Sequence, residues 1–390
     1  KEEAIEEIME AISRKNDGIN KKIIVTGCLA ERYQKQMDEE FPEIDAVVGI
    51  AKNDDIVEII NSVMLDRRVV TFGDKLCHNM EGDKLQSTLP HYAYLRIADG
   101  CSNKCSYCAI PLIRGKMRSR KMENIIEEAK KFAENGVKEL VIVAQDVTAY
   151  GIDLYKKYAL PELLKELCKI DGIKWIRLLY CYPERMTDEL IETIKTEDKV
   201  LNYIDIPIQH CNKEILRNMY RGGDEQSLRE LFAKLRREIP GVVLRTTLIT
   251  GFPGETEEQF SELAEFVNDI RFERLGCFAY SAEEDTPAAE MPDQVDEGER
   301  QRRADIITGE QEIRMGEYYA GMVGNTYEVV CEGFDRYSDM YFGRSMHFAP
   351  EIDGMIYFTS AKDKGPLTIG DFVNVKITDV LENNLLGERV

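Results

Sequence analysis

Hydrophobic and polar residues alternate along the first part of the chain in a pattern that predicts an α/β domain. A charged amphipathic helix covers Glu2–Ile12, and the apolar run KKIIVTGC predicts a strand that ends at Gly27 and Cys28. A second helix, the strand DAVVGI, a helix near Asp54–Met64 and the strand RRVVTF follow. This alternation predicts a parallel sheet over residues 1–72. Because the pattern begins abruptly on a helix, we expect the domain to be incomplete, with an opening strand missing.

The middle of the chain repeats the same alternation more regularly. Residues 73–90 are polar and aperiodic, which indicates a linker. Six apolar runs then alternate with amphipathic helices, and they read YAYLRIA, ELVIVAQ, WIRLLY, YIDIPI, VVLRTTLIT and RLGCFAY. Six β/α units predict a partial TIM-like barrel of parallel strands. A charged helix at about Asp296–Tyr318 leads out of it, so this domain is expected to span residues 91–318.

The last segment, residues 319–390, has a different pattern. Short alternating runs such as NTYEVVCEG, GMIYFTS and DFVNVKITDV are separated by Gly, Asp and Asn, and no helical period is visible. Such a pattern is typical of a small all-β barrel of the OB-like kind. The predicted fold class is therefore α/β, with a separate C-terminal β-barrel domain.

Composition and charge restrict the functional classes. No apolar run approaches the roughly 18 residues that cross a membrane. Three of the ten cysteines are crowded together and the others are scattered, which indicates a metal site in a reducing compartment and hence a cytoplasmic protein. The net charge of -21 disfavours a general nucleic-acid binder, because phosphate backbones are repelled. A basic macromolecular partner is compatible with this charge.

The crowded cysteines are Cys101, Cys105 and Cys108, spaced C-x3-C-x2-C directly after the first strand of the predicted barrel. Loops at the carboxyl ends of barrel strands build active sites. Three thiolates can hold three irons of a [4Fe–4S] cluster and leave the fourth iron open. A zinc knuckle with a remote fourth ligand and chance crowding are the alternatives. Spacing and position at a strand end favour the cluster, so these cysteines are the predicted metal ligands and catalytic centre.

The triad, with Tyr107 before its third cysteine, resembles the radical S-adenosylmethionine (SAM) enzymes. The resemblance implies that SAM chelates the open iron and that one electron cleaves it to a 5′-deoxyadenosyl radical. In this setting the protein binds and orients the cofactor, excludes water and supplies an electron path.

Polar residues at the other strand ends are candidate SAM contacts. Each one alone is as well explained as a local cap, but together they predict a mouth that binds the cofactor. Glycine at such a position permits close approach of the backbone to a ligand. The set is Gln145, Asp146, Asp205, Gln209, Thr247 and Gly251. His210 is interpreted as a structural histidine, and the basic residues of the run Arg114–Lys121 are read either as a solvated helix start or as functional.

The whole chain resembles the methylthiotransferases through VTGCLAERY, GCSNKCSYCAIPLIRGKMRSR, GFPGETEEQF and the β-rich tail. The resemblance implies an N-terminal domain, a radical SAM barrel and a C-terminal TRAM domain. It also implies a second [4Fe–4S] cluster held by three N-terminal cysteines, of which Cys28 matches the third. The first two would precede Lys1. We therefore expect a truncated N-terminus, with two clusters in the complete protein and one fully liganded by this chain.

The segments QDVTAYGID, YIDIPIQH and GCFAYSAEEDTPAAEMPDQV resemble the branch of this family that modifies a ribosomal protein. That branch methylthiolates the β-carbon of an aspartate in a small-subunit ribosomal protein. The alternative branch modifies a tRNA adenosine, and its pattern has Asn at the position of Asp146. Residues 319–390 contain 6 basic and 11 acidic residues, a net charge of -5, which favours a basic protein over RNA.

The implied partners are that ribosomal protein, free or on the ribosome, and a flavodoxin-like or ferredoxin-like electron donor. An iron–sulfur scaffold that only carries clusters is the non-enzymatic alternative, and it would form no deoxyadenosine.

Overall fold

Two units make up the chain in the computed structural model, which describes residues 2–77, 79–82 and 85–390. The first unit comprises the described residues of Lys1–Lys84 together with Asp99–Lys104 and Cys108–Arg118. The second unit comprises the described residues of Leu85–Ala98, Cys105–Tyr107 and Ser119–Val390.

The first unit contains a three-stranded parallel sheet in the order β1-β2-β3. Its elements are α1 (Glu2–Asn16), β1 (Ile24–Thr26), α2 (Cys28–Arg32), α3 (Gln34–Glu40), β2 (Ala46–Val48), α4 (Ile56–Met64), β3 (Val69–Thr71) and α5 (Ile110–Arg114). The central strand β2 is buried throughout, which explains its uninterrupted apolar sequence. Ile8 and Ile12 of α1 pack with Met37 and Val47 in the core of this unit. The predicted N-terminal α/β sheet is confirmed.

The second unit contains the six predicted parallel strands, in the open order β4-β7-β8-β9-β10-β11. Its elements are β4 (Tyr92–Arg96), α6 (Met122–Glu134), β7 (Glu139–Val143), α7 (Leu160–Cys168), β8 (Trp175–Leu178), α8 (Asp188–Thr196), β9 (Val200–Asp205), α9 (Lys213–Asn218), α10 (Glu225–Glu238), β10 (Val243–Thr250), α11 (Glu257–Ile270), β11 (Arg274–Ala279) and α12 (Glu297–Met322). Two short strands, β5 (Ala98–Asp99) and β6 (Arg118–Ser119), have residues assigned to both units. The predicted partial barrel is confirmed. The short helix α9 was not predicted.

A closed five-stranded barrel follows α12, as the pattern of residues 319–390 predicts. Its strands are β12 (Thr326–Asp335), β13 (Met340–Arg344), β14 (Ile356–Thr359), β15 (Phe372–Leu381) and β16 (Asn384–Arg389), in the order β12-β13-β14-β16-β15. Phe348, Phe358, Val375 and Leu385 form its core together with Tyr319 of α12. The helix continues to Met322, slightly beyond the predicted end at Tyr318. The positions 72, 90 and 318 stay predictions as domain boundaries.

The C-terminal barrel fills the inner face of the six-stranded sheet near the amino ends of its strands. Tyr92, Trp175 and Tyr203 of the sheet share an apolar cluster with Val330 and Ala349 of the C-terminal barrel. Alternate residues of a strand face the same side, so this cluster defines the inner face of the sheet.

Buried charges reinforce this junction. Arg177 Nε donates to Glu139 Oε1 (2.7 Å) and Arg344 Nη2 to Glu139 Oε2 (2.9 Å). Arg344 Nε also donates to Glu332 Oε1 (2.7 Å), which lies 3.0 Å from His91 Nε2. Burial opposes the charged form of Glu139, but Arg344 and Arg177 outweigh it and lower its pKa to about 2.

No helix in the described part of the chain is long and apolar enough to cross a membrane.

Candidate active site

Cys101 and Cys108 belong to the first unit, and both precede α5 in the chain. The Cys101 amide donates to the carbonyl of Gly115 (3.1 Å), which follows α5. Cys108 lies two residues before Ile110, and Pro111 near the helix start fits this position because it has no N–H to satisfy. Both cysteines are half-buried. The structure thus holds the cysteine loop by its backbone.

Cys28 is exposed and is the first residue of α2, directly after the edge strand β1 and Gly27. Within this unit α2 packs against α5, and Arg114 Nη2 lies 3.6 Å from Cys28 Sγ. Arg114 Nη1 also donates to Asp99 Oδ1 (2.9 Å). Burial lowers the pKa of Arg114, but Asp99 and Cys28 outweigh this effect and raise it. The fold therefore brings Cys28, 73 positions before Cys101 in the printed sequence, next to the helix that follows the triad.

The arginines of the basic run make specific contacts, whereas Lys116 and Lys121 are exposed. Arg118 Nη2 lies 3.4 Å from Asp99 Oδ2 in the first unit. Arg120 is buried in the second unit, where Nη1 donates to the Arg96 carbonyl (2.7 Å) and Nη2 pairs with Glu128 Oε2 (2.6 Å). These guanidinium groups hold the backbone around the loop.

Cys105 lies in the second unit beside a buried guanidinium group. Arg221 Nη1 is 4.0 Å from Cys105 Sγ and 3.4 Å from the Tyr107 hydroxyl, and Nη2 donates to the Pro207 carbonyl (2.8 Å). The Arg221 guanidinium also lies over the Tyr182 ring, 4.3 Å from its centroid. Burial raises the pKa of Tyr107, so its hydroxyl is neutral at physiological pH. A fixed positive charge is therefore placed next to one predicted cluster ligand.

Asp146 is connected to the same group through Arg185. The Arg185 guanidinium pairs with Asp146 Oδ2 and lies 4.6 Å from the centroid of the Tyr182 ring. Asp146 Oδ1 accepts from the Thr148 hydroxyl (2.6 Å) and from the Ala149 amide (3.2 Å). The carboxylate of this predicted SAM contact is thus already used to shape the loop after β7.

Asp205 and Thr247 face the same side of the sheet from neighbouring strands. Asp205 Oδ1 accepts from Arg245 Nη1 (2.8 Å), and Oδ2 accepts from the Tyr180 amide (2.9 Å). The Gln209 amide donates to the Thr247 carbonyl (2.9 Å), so the structure brings these two predicted contacts together. Gln209 and Tyr180 have positive φ angles of 70° and 64°, which are uncommon for such residues and concentrate at functional sites.

Gln145 follows β7, and its Oε1 is buried without a hydrogen-bond partner among the described residues. A buried acceptor without a partner is costly, so this oxygen is suited to receive a donor from a ligand.

Gly251 begins a loop after β10 that is held by a carboxylate. Glu255 Oε2 accepts from the Gly251 amide (2.9 Å) and the Phe252 amide (3.3 Å), and Oε1 accepts from Arg303 Nη1 (2.8 Å). Gly251 has φ +68°, and a Cβ there would approach the Arg300 side chain to 2.3 Å. The glycine is thus required by the exit helix, and its role as a cofactor contact stays a prediction.

His210 is buried beside this loop, and the fold supports its interpretation as structural. Its Nδ1 accepts from the Asn212 amide (2.9 Å), and burial lowers its pKa to about 3. A ring that is neutral at physiological pH and bound to the local backbone serves to shape the turn.

The donor types fit the predicted cofactors. Three cysteine thiols are the ligands that iron–sulfur clusters use, and the partnerless Gln145 oxygen fits a polar cofactor. In the described residues, no group of three or more His, Cys, Asp or Glu side chains is already gathered in a way that could hold a metal ion.

Arg221, Arg185 and Glu255 were not predicted from the sequence as site residues. The two arginines are single basic residues in polar segments, and no spacing marks them. Glu255 stands in the quoted motif GFPGETEEQF, four positions after Gly251, so the motif contained the signal for this residue.

Comparison with known proteins identifies two domains. Residues 95–267 match the model of the radical SAM superfamily, and residues 323–390 match that of the TRAM domain. Three relatives bear the name ribosomal protein uS12 methylthiotransferase RimO. The protein of Caldanaerobacter subterraneus is 49% identical over 362 residues, 93% of this chain and 82% of the relative. That of Clostridium botulinum strain Hall is 46% identical, covering 99% and 86%, and that of Thermoanaerobacter sp. strain X514 is 46% identical, covering 100% and 88%.

A similar fold is found in a solved structure. The radical SAM methyltransferase TsrM from Kitasatospora setae, bound to tryptophan and a SAM analogue, superposes with a TM-score of 0.56. It is 14% identical in sequence, and the match covers 72% of this chain and 59% of TsrM. At this identity the similarity concerns the fold alone.

Proposed function

Because the chain belongs to the RimO family of radical SAM methylthiotransferases, we propose that it methylthiolates the β-carbon of an aspartate in ribosomal protein uS12. The observation that carries this proposal is 46–49% identity to relatives of that name over 93–100% of the chain. The enzyme class follows from the family, and the identity of the substrate is what the experiment tests.

Cys101, Cys105 and Cys108 would hold a [4Fe–4S] cluster through their thiolates, leaving one iron for SAM. When bound, the cluster and SAM supply the one-electron chemistry that activates an unactivated C–H bond, and SAM also supplies the methyl group. The chain's own residues do the remaining work. Arg221 holds positive charge 4.0 Å from Cys105 Sγ, and the Cys101 amide fixes the loop to Gly115.

SAM would bind at the carboxyl ends of the parallel strands. Gln145 offers a buried acceptor, while Gln209 and Thr247 are half-buried on neighbouring segments. The Asp146 and Asp205 carboxylates already accept bonds from Arg185 and Arg245, so their role is to fix the strand ends that surround the cofactor. Gly251 keeps its loop close to the exit helix.

Cys28 would contribute a thiolate to a second [4Fe–4S] cluster that carries the sulfur for transfer. Support comes from its exposure, which leaves the sulfur accessible, and from the Arg114 guanidinium group, which lies 3.6 Å from Cys28 Sγ. The remaining ligands of this second cluster are outside the proposal.

The substrate would be captured as a basic protein by an acidic enzyme. The chain has a net charge of -21 and its segment 319–390 a net charge of -5, which favours association with a cationic partner. The reaction would take place in the cytoplasm, on free uS12 or on the ribosome, with a flavodoxin-like or ferredoxin-like electron donor.

The test is anaerobic turnover of reconstituted enzyme with SAM and a chemical reductant, using purified uS12 and bulk tRNA in parallel. Mass spectrometry should find a methylthio group on one aspartate of uS12 and none on tRNA. Methylthiolated adenosine with unmodified uS12 would move the chain to the tRNA branch. An absence of 5′-deoxyadenosine with either substrate would support the iron–sulfur scaffold.

A further inference from the structure

Glu351 of the C-terminal barrel reaches the inner face of the catalytic sheet. Its Oε1 accepts from the Tyr92 hydroxyl (2.8 Å) and its Oε2 from the Tyr94 hydroxyl (3.0 Å). Both tyrosines belong to β4, and Tyr92 lies in the inner-face cluster with Tyr203. Burial and the bonds to Glu351 raise the pKa of both tyrosines, so each stays a neutral donor. The C-terminal barrel therefore contributes a carboxylate to the interior of the sheet.

The other carboxylates on this face are paired with arginines. Glu139 binds Arg177 and Arg344. Asp205 Oδ1 lies 2.8 Å from Arg245, and Asp353 Oδ1 lies 3.4 Å from Arg274 Nε.

Glu351 has no cationic partner among the described residues, and it is exposed. The nearby Arg344 is already engaged with Glu139 and Glu332. One negative charge is thus presented to solvent on an otherwise neutralised face.

The backbone at Glu351 is held in an unfavourable conformation. Its φ angle is +64°, in the left-handed region that residues other than glycine rarely adopt. Such conformations persist where the surroundings fix them, and they concentrate at functional sites. Hydrogen bonds from the Tyr92 and Tyr94 hydroxyls hold the Glu351 side chain in this conformation. The arrangement holds the carboxylate in place before any ligand arrives.

We propose that Glu351 is a specificity-determining residue that binds a lysine or arginine side chain of the substrate protein, near the aspartate to be modified. The register pairs Tyr94 with Val141, and Gln145 lies four residues further along the chain from Val141. Four extended residues span about 13 Å. A substrate segment of similar length would place a cation at Glu351 and its aspartate near the cofactor end. This inference rests on the proposed function.

The experiment compares wild type with Glu351→Gln on purified uS12. Glutamine has nearly the same shape and keeps one acceptor oxygen, so it removes the charge and one of the two acceptors that the tyrosines use. We expect the KM for uS12 to rise about tenfold, which corresponds to about 1.4 kcal/mol, and to depend less steeply on salt concentration. The kcat and the uncoupled formation of 5′-deoxyadenosine should stay at wild-type values. The matched control is Glu382→Gln, another exposed glutamate of the same barrel with positive φ (+51°).

A double-mutant cycle identifies the partner residue. Each lysine and arginine of uS12 within about four residues of the modified aspartate is replaced by glutamine. One replacement should reproduce the KM effect and add nothing to Glu351→Gln. An unchanged KM in Glu351→Gln, or full additivity at every position, would overturn the inference. If wild type leaves uS12 unmodified, the proposed function itself fails, and that outcome is distinct from both.

Discussion

The two ends of the six-stranded sheet use polar residues in opposite ways. At the amino ends Glu139, Arg177 and Arg344 are each at most 1% exposed in their side chains and lock the sheet to the C-terminal barrel. At the carboxyl ends Gln145 has a partnerless acceptor, and Tyr180 and Gln209 have positive φ angles. Barrel folds commonly separate stability from chemistry in this way. Polar side chains thus stabilise the fold at the amino ends of the strands and leave binding capacity at the carboxyl ends.

The largest effect is expected from substitutions in the cysteine triad. Replacing Cys101, Cys105 or Cys108 by Ala should abolish reductive cleavage of SAM, because each would remove a cluster ligand. The unfolding midpoint should change little, since these side chains are only half-buried. High-performance liquid chromatography measures the 5′-deoxyadenosine that is formed, and iron analysis measures the cluster content. Cys168→Ala, also half-buried, is the control. Cleavage at the wild-type rate in any triad variant would refute the assignment.

Cys28→Ala separates the chemistry further. In the complete protein it should abolish formation of methylthiolated uS12 while cleavage of SAM continues, because the second cluster is proposed to carry the sulfur. Mass spectrometry of uS12 and assay of 5′-deoxyadenosine provide the two readouts. Cys77→Ala replaces the other exposed cysteine and should behave like wild type. Normal methylthiolation by the Cys28 variant would contradict the proposed role.

Arg344→Met tests the amino end. The substitution leaves Glu139 with Arg177 alone and Glu332 with His91 alone, and breaking such a buried network costs about 3–5 kcal/mol. Trp175 is the only tryptophan of the chain and packs edge-on against Phe372 of the C-terminal barrel, with ring centroids 4.8 Å apart. Its fluorescence during urea unfolding therefore reports on this junction. Arg336→Met, at an exposed arginine of the same barrel, should have no effect. Equal midpoints for the two variants would show that the network does not stabilise the fold.

Arg221→Gln should have the smallest effect of the four. Loss of a buried positive charge near Cys105 disfavours addition of an electron, so the cluster's reduction potential should fall and SAM cleavage should slow about tenfold. Redox titration followed by electron paramagnetic resonance measures the potential. Arg221→Lys should restore most of it, and Arg217→Gln, at an exposed arginine of α9, should leave it unchanged. An unaltered potential with full iron content would exclude this role.

The sequence predicted the elements whose information is local. The six apolar runs became the six strands, and the exit helix predicted at about Asp296–Tyr318 spans Glu297–Met322 in the structure. Helix α9 was not predicted because Lys213–Asn218 is too short to show a helical period of apolar residues. Asn212 was also not recognised as its N-cap.

Site residues could be predicted from the sequence only where a characteristic spacing marks them. The cysteine triad has such a signature, whereas Arg221 and Glu351 gain their roles from partners 116 and 259 positions away. The surroundings of Glu351 also change its interpretation. Its charge looks like an ordinary surface acid in the sequence, but the fold directs it to two tyrosines of the catalytic sheet. No local pattern contains that information.

The closure of the sheet interior by the C-terminal barrel has a consequence for biosynthesis. The ribosome delivers the six strands first, and during that time Glu139 and Arg177 have no Arg344 or Met346 carbonyl to bind. A nascent chain that stops before residue 344 would leave Glu139 with Arg177 as its one partner and Trp175 uncovered by Phe372. Such a fragment should attract chaperones and proteases rather than assemble a reactive centre. The late position of the barrel in the chain therefore delays completion of this junction until translation has passed residue 344.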